Sequence, residues 1–179
     1  VKKMKEIIEF AAEAGGMVSL GLVRGVIGTE QEEKRNEFFK RFVESCEMLL
    51  KISVPLGVDL VVEPMNRYET DNLKSSQEAL TFIEKTGLPL YLMLDTFHMN
   101  IEDVNLIESF QACMPYTKHI HFLDSNRLAP GMGHLNMEEI YRILERQGYG
   151  GFLCLEALPI PSGMECARRG AEFFRYMTQ

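Results

Sequence analysis

The chain has 179 residues, of which 46% are hydrophobic and 25% are charged, and its formal net charge is −7. These totals describe one ordinary globular domain with a sizeable core. They argue against binding to a nucleic-acid backbone or crossing a membrane, since the chain has neither a basic run nor an apolar stretch of membrane-spanning length.

An N-terminal helix and five strand–helix repeats are predicted in chain order. The segment VKKMKEIIEFAAEAGG predicts an amphipathic helix that ends at Gly15-Gly16. The predicted strands comprise residues 17–23, 58–64, 88–95, 117–124 and 151–158. The helices that follow them comprise residues 30–53, 73–86, 102–113, 136–147 and 163–177. Because several strands are apolar at consecutive positions, we expect a parallel sheet that is covered on both faces.

Polar residues at the strand ends favour a barrel over an open sheet. An open sheet gathers its ligand at one crevice, whereas a barrel takes its chemistry from the C-terminal ends of many strands. Glu63, Asp95, His121 and Glu156 each lie at or near the C-terminal end of a different predicted strand. We therefore predict an α/β fold made of parallel βα units of a (β/α)8 TIM barrel. Since such barrels take about 250 residues, we expect residues 1–179 to be a single domain holding the C-terminal five of eight units, with the N-terminal three missing.

The residues at these four strand ends are a ligand set for a divalent cation. Three carboxylates and one imidazole suit manganese, magnesium or cobalt, with zinc as a further choice. A cation would also remove the repulsion between clustered acids. Taken singly, each residue has an ordinary structural explanation, and Asp95 alone would be read as a cap of a helix near Ile101. The recurrence at successive βα units is what indicates a site.

Several neighbouring polar residues are ambiguous in the sequence. His119 and His121 alternate along one strand, so their side chains are expected on the same side, with only one needed as a ligand. Arg24 either faces the mouth of the barrel or lies on the surface. The four cysteines form no Cys-x-x-Cys pair, which predicts free thiols and a reducing, cytoplasmic location.

Four segments carry a resemblance to a known superfamily. They are EPMNRYE, LDTFHMNIED, HIHFLDSNR followed by PGMGH, and LEALP. In these segments the chain resembles the xylose isomerase-like sugar epimerase/isomerase superfamily, and most closely the D-tagatose/D-psicose 3-epimerase group. The resemblance covers nearly the whole chain. It implies a complete barrel with a divalent metal, usually Mn²⁺, a small sugar substrate, and assembly into dimers or tetramers.

The resemblance also implies a role for each of seven residues. The implied metal ligands are Glu63, Asp95, His121 and Glu156. The implied contacts to substrate oxygens are Glu69, His98 and Arg127. Glu63 and Glu156 are further implied as the acid/base pair. One of them removes a proton next to the carbonyl, a metal-stabilised enediolate forms, and the other returns a proton on the opposite face.

Three other interpretations remain open on the sequence. Endonuclease IV-type hydrolases share the turn from Asp95 to His98, although they use more histidines and an Asp-Arg-His element that SNRLAPGMGH lacks. A metal-independent, hydroxypyruvate isomerase-like enzyme would use the same acids for a 1,2 proton transfer. The third interpretation is a non-catalytic fragment: an unclosed barrel leaves two sheet edges free, so we expect little or no turnover from the isolated chain. The sugar, free or phosphorylated, is left open.

Overall fold

In a computed structural model of residues 1–179, five parallel strands form one sheet, and helices cover its outer face. The strands are β1 (Val18–Ser19), β2 (Leu60–Val62), β3 (Tyr91–Asp95), β4 (Thr117–His121) and β5 (Phe152–Cys154). Each strand pairs in parallel with the next strand along the chain, in the order β1-β2-β3-β4-β5. A doubly wound sheet would reverse this order at a switch point. The predicted α/β barrel fold is therefore confirmed as a half-barrel.

Seven α-helices flank the strands, and two of them lie between β3 and β4. They are α1 (Lys2–Ala14), α2 (Glu32–Ser53), α3 (Ser76–Thr86), α4 (Thr96–Glu102), α5 (Leu106–Cys113), α6 (Met137–Arg146) and α7 (Gly163–Met177). Most of them begin at a polar residue whose side chain accepts a backbone N–H of the first turn. These N-cap residues are Ser75, Asp95, Asn105, Asn136 and Ser162. Such caps satisfy donors that a helix leaves free at its start.

Two kinds of predicted boundary were wrong. The strands are shorter than the apolar runs; the run at 17–23 holds only β1 and then continues into a 3-10 turn at Leu22–Arg24. The predicted helix at 102–113 begins later, as α5 at Leu106, and a short helix that was not predicted, α4, begins directly after β3. Local capping explains both helix starts, since Asp95 caps α4 and Asn105 caps α5.

Alternate strand residues divide the half-barrel into a core and a concave face. Even-numbered residues in or directly after β2, β3 and β4 pack with the helices in the hydrophobic core: Leu60, Val62, Leu92, Leu94, Ile120 and Phe122. In these strands the odd-numbered positions face the concave side, whereas in β5 the even-numbered Phe152 and Cys154 pair with His119 and His121 there. The rings of His119 and His121 lie 5.1 Å apart between centroids, which confirms that they share one side of β4. The twofold alternation of a strand therefore places the chemistry opposite the core.

Apolar side chains are exposed towards both ends of the sheet. Phe10 in α1 is 70% exposed, and Phe152 in β5 is 62% exposed.

All four cysteines are free, and Cys154 is the exposed one. No helix in residues 1–179 combines the length and the apolar character that a membrane crossing requires.

Candidate active site

Four side chains from successive strands meet at the C-terminal edge of the sheet. One donor atom from each of Glu63, Asp95, His121 and Glu156 lies within 4.8 Å of the others. His121 Nδ1 is 3.3 Å from Glu63 Oε1, 3.5 Å from Asp95 Oδ2 and 3.5 Å from Glu156 Oε2. Register explains part of this convergence, since Asp95 pairs directly with His121 across β3 and β4. The structure thus brings all four predicted ligands together.

The donor atoms of this cluster fit a divalent cation. Asp95 Oδ2 and His121 Nδ1 are buried and have no hydrogen-bond partner in the chain. Buried polar atoms without partners are costly, and coordination would satisfy both. Three carboxylates and one imidazole form an oxygen-rich set of the kind that binds manganese, magnesium or cobalt.

The electrostatics of His121 reflect its carboxylate neighbours. Burial lowers the pKa of His121, but the neighbouring carboxylates of Asp95, Glu63 and Glu156 outweigh burial and raise the pKa to about 10. In the chain alone, a proton on the imidazole therefore compensates part of the negative charge of the three carboxylates. A cation would replace that proton, because metal ligation requires a neutral imidazole.

Asp95 uses its two carboxylate oxygens differently. Oδ1 accepts the backbone N–H groups of Phe97 at 2.7 Å and His98 at 3.1 Å, which caps α4. Oδ2 faces His121. The sequence left open whether Asp95 caps a helix or belongs to the cluster. The structure shows that it does both, with one oxygen for each.

Glu63 is held closely by buried neighbours. A Cβ atom added to Gly21 would lie 2.6 Å from Glu63 Oε2, so the carboxylate approaches the backbone where only glycine leaves room. The buried Arg24 donates to the backbone oxygen of Glu63 at 2.9 Å and to Asn72 Oδ1 at 3.1 Å. Burial lowers the pKa of Arg24 to about 10, against the opposing charge of Glu63. Arg24 thus supports the end of β2 from within the protein and does not lie on the surface.

Arg127 joins two carboxylates at the open side of the cluster. Its Nη1 lies 3.0 Å from Glu69 Oε1 and its Nη2 lies 3.1 Å from Glu156 Oε2. The guanidinium also stacks over the ring of Phe97, 5.2 Å from its centroid. The backbone of Arg127 is left-handed, with φ at 61°, and its carbonyl accepts the N–H of Leu158 at 2.7 Å. An unusual backbone conformation therefore aims this side chain at the cluster.

The loop that carries Arg127 is organised by one buried acid. Asp124 is fully buried and accepts the backbone N–H groups of Ser125 at 2.7 Å, Gly131 at 3.0 Å and Leu135 at 3.1 Å. Burial raises its pKa, but these backbone donors outweigh burial and hold the pKa below its usual value. The N–H groups of the glycine-rich segment are consequently turned towards Asp124.

His98 reaches the cluster through a residue that the sequence did not single out. Asn66 Nδ2 lies 2.7 Å from His98 Nδ1 and 3.2 Å from Glu69 Oε1. With the ion pair from Glu69 to Arg127, these contacts connect all three predicted substrate-binding residues. Asn66 follows Glu63 by three positions, but its partner His98 is 32 residues away, so no local pattern reveals the contact.

A parallel half-barrel with an acid–imidazole cluster at the strand ends defines a TIM-barrel protein with a candidate metal centre at the barrel mouth. The chain matches the family described as "Xylose isomerase-like TIM barrel" over residues 1–177, and it belongs to that family. The resemblance inferred from the sequence is thereby confirmed.

The relatives of this chain include sugar epimerases. The D-psicose 3-epimerase of Enterocloster bolteae is 31% identical over 159 residues, which are 88% of this chain and 52% of the relative. That of Ruminiclostridium cellulolyticum is 33% identical over 129 residues, 72% of this chain and 44% of the relative. The fold is similar to that of the 3-keto-D-glucoside 4-epimerase of Escherichia coli, with a TM-score of 0.85, 22% identity, and coverage of 99% of this chain and 69% of that one. The chain spans about half the length of the curated relatives it matches.

Proposed function

We propose that the protein is a divalent-metal-dependent sugar epimerase that acts on a ketose. The observation that carries this proposal is the convergence of three carboxylates on His121 Nδ1 at the C-terminal ends of the strands. The D-psicose 3-epimerases among the relatives support it. Because the chain spans about half of their length, the activity is proposed for the whole protein.

The reaction requires two carboxylates that act on one carbon. Glu63 comes from the end of β2 and Glu156 follows β5, so the two approach the cluster from different strands. One carboxylate takes the proton from the carbon next to the carbonyl, and the other delivers a proton to the opposite face, which inverts that carbon. A divalent cation held by Glu63, Asp95, His121 and Glu156 would supply positive charge that stabilises the enediolate. Manganese is our proposed metal.

The remaining site residues are proposed to hold the oxygens of the sugar. Arg127 and His98 donate hydrogen bonds to these oxygens, and Glu69 accepts from hydroxyl groups. A ketose without phosphate is favoured, because the backbone N–H groups around Gly131 that would cradle a phosphate are bonded to Asp124. Assembly into a dimer or tetramer remains a prediction from the resemblance.

Deuterium exchange tests this function. The full-length protein, loaded with Mn²⁺, is incubated with D-psicose in heavy water, and the products are followed by NMR. We expect the epimer at carbon 3 to accumulate with deuterium at that carbon. Glu63→Gln and Glu156→Gln should each lower the rate by about 10²–10⁴-fold. The exposed Glu138 in α6 offers a matched control, since Glu138→Gln should leave the rate unchanged.

The position of the label separates the proposal from its alternatives. Deuterium at carbon 1 would indicate an aldose–ketose isomerase instead, and epimerisation at carbon 4 of a 3-keto sugar would move the proposal to that substrate class. Cleavage of abasic DNA would favour the endonuclease-like alternative. That alternative needs several histidine ligands, whereas this cluster contains one.

A further inference from the structure

The amide of Asn66 has a defined direction. Its Oδ1 accepts the backbone N–H of Tyr68 at 2.9 Å, and its Nδ2 faces the carboxylate of Glu69 at 3.2 Å. Exchanging the two amide atoms would set Nδ2 against an N–H donor and Oδ1 against a carboxylate. Both contacts would then be repulsive, so Nδ2 is the atom that lies 2.7 Å from His98 Nδ1.

Two donors therefore converge on one ring nitrogen. His98 Nδ1 lies 2.7 Å from the side-chain Nδ2 of Asn66 and 3.3 Å from its backbone nitrogen. Neither the backbone N–H nor the amide Nδ2 can accept, so in the unmodified protein Nδ1 accepts from both. A neutral imidazole that accepts at one nitrogen carries its proton on the other. His98 Nε2 is that other nitrogen, and it is buried without a partner in the chain.

We propose that Asn66 is a positioning residue that fixes the imidazole of His98 as the tautomer with its proton on Nε2. This tautomer makes His98 a hydrogen-bond donor to a sugar oxygen, a role that rests on the proposed function. The opposite tautomer would present a lone pair at Nε2 and could not stabilise an oxygen that gains negative charge. Asn66 itself need not touch the substrate.

Because both side chains are buried, only groups of the chain itself can hold this arrangement. Asn66 and His98 are each 1% exposed, so neither has solvent as a substitute partner. The two side chains come from different βα units, the loop after β2 and the helix α4. A fixed donor at Nε2 is therefore set by the fold before any substrate arrives.

The tautomer can be observed directly in the unmodified protein. Full-length protein with ¹⁵N-labelled histidine is examined by NMR, and the His98 signals are identified by their loss in His98→Gln. We expect Nδ1 to show the shift of an unprotonated nitrogen and Nε2 that of a protonated one. A proton on Nδ1 in the wild-type protein would overturn the proposal without the need for any Asn66 variant.

Two substitutions of Asn66 then separate its side chain from its backbone. Asn66→Asp replaces the nearer donor, 2.7 Å from Nδ1, by a charged acceptor that outweighs the longer backbone contact at 3.3 Å. We therefore expect a proton on Nδ1 and a fall of about 10²-fold in kcat, with a smaller change in KM. Asn66→Ala keeps the backbone donor, so the Nε2 proton should remain and the fall in kcat should be smaller. If Asn66→Asp folds and keeps the proton on Nε2, the proposal is wrong.

A matched control lies in the same segment. Asn72 is equally buried, but it bonds to Arg24 and to the carbonyl of Gly25. Asn72→Asp introduces the same charge and should leave the His98 tautomer unchanged; a shift of the proton there would show that any buried acid in this loop suffices, against a specific role for Asn66. Because NMR reads the tautomer without substrate, a protein that epimerises no ketose would overturn the proposed function and not the tautomer.

Discussion

The two sides of the candidate site are held in place by different physical means. On the core side, Glu63, Asp95 and His121 extend from strands whose backbones are buried in the sheet, and Glu63 is only 7% exposed. On the rim side, the side chains of Glu156 and Arg127 are 49% and 26% exposed and are held to each other by an ion pair. The carboxylates of Glu63 and Glu156 are thus chemically similar, but the first is held by the buried sheet and the second by an exposed ion pair.

This difference suggests a division of labour within the site. Exposed ion pairs contribute little to stability and exchange partners easily. Core-side ligands suit a cation that must stay in a fixed geometry, whereas rim-side groups can release each other when a sugar arrives. The position of Arg127 then depends on its loop and less on the ion pair.

The largest effect is expected on the core side, at Asp95. Both Asp95→Asn and Asp95→Ala should lower the affinity for Mn²⁺ by about 100-fold or more, beyond the usual effect of outer contacts. Only Asp95→Ala should also lose the cap of α4, which lowers the free energy of unfolding by about 1 kcal/mol relative to Asp95→Asn. Calorimetric titration with Mn²⁺ and urea unfolding measure the two effects. Unchanged Mn²⁺ affinity in Asp95→Asn would remove this residue from the metal site.

The next effect concerns the loop behind the rim side. Asp124→Asn should lower the free energy of unfolding by about 2 kcal/mol, because several backbone N–H donors lose a buried, charged acceptor. The folded state lowers the pKa of Asp124, so its stabilisation is present above the ordinary value of 3.8 and is lost as pH falls through the folded pKa. Urea unfolding at neutral and acidic pH measures this dependence. The difference in the free energy of unfolding between the wild-type protein and Asp124→Asn should become smaller in acid. A difference that becomes larger in acid would contradict the assignment.

A smaller effect should follow from filling the space beside Glu63. Gly21→Ala places a methyl group 2.6 Å from Glu63 Oε2, so the carboxylate must shift. We expect kcat to fall by about tenfold, since sub-ångström placement matters for proton transfer. Gly16→Ala is the matched control, because its nearest neighbour would be the Ala11 oxygen at 3.8 Å. Equal rates for the two variants would show that the core side tolerates displacement.

The smallest effect is expected from the ion pair itself. Arg127→Lys keeps the charge but cannot bridge Glu69 and Glu156 together. The free energy of unfolding should change by less than about 1 kcal/mol, measured by urea unfolding beside the exposed pair variant Arg142→Lys. A loss as large as that of Asp124→Asn would show that the ion pair, and not the loop, supports the rim side.

The sequence was informative where the chemistry follows the strand register. Apolar runs located all five strands, and the acid or histidine that ends a run marked the concave edge. Residues such as Glu63 and Asp95 could therefore be grouped before any coordinates, because parallel strands carry their C-terminal ends to one side. Their functional roles remain predictions.

Contacts between residues far apart in the sequence could not be predicted from the strand pattern. Asn66 and His98 meet across 32 residues, and Arg24 supports Glu63 across 39. Neither pairing has a local signal. The short helix α4 was missed for a different reason: seven residues offer too little periodicity, and the cap at Asp95 lay in what was read as the end of a strand.

The exposed rings of Phe10 and Phe152 have a practical consequence for experiments on this polypeptide. Exposed apolar surface offers binding sites to hydrophobic dyes and favours association at high concentration. A dye-based melting curve of residues 1–179 should accordingly start from a high fluorescence baseline. Assays of this polypeptide are best read by a method that does not depend on dye, such as circular dichroism.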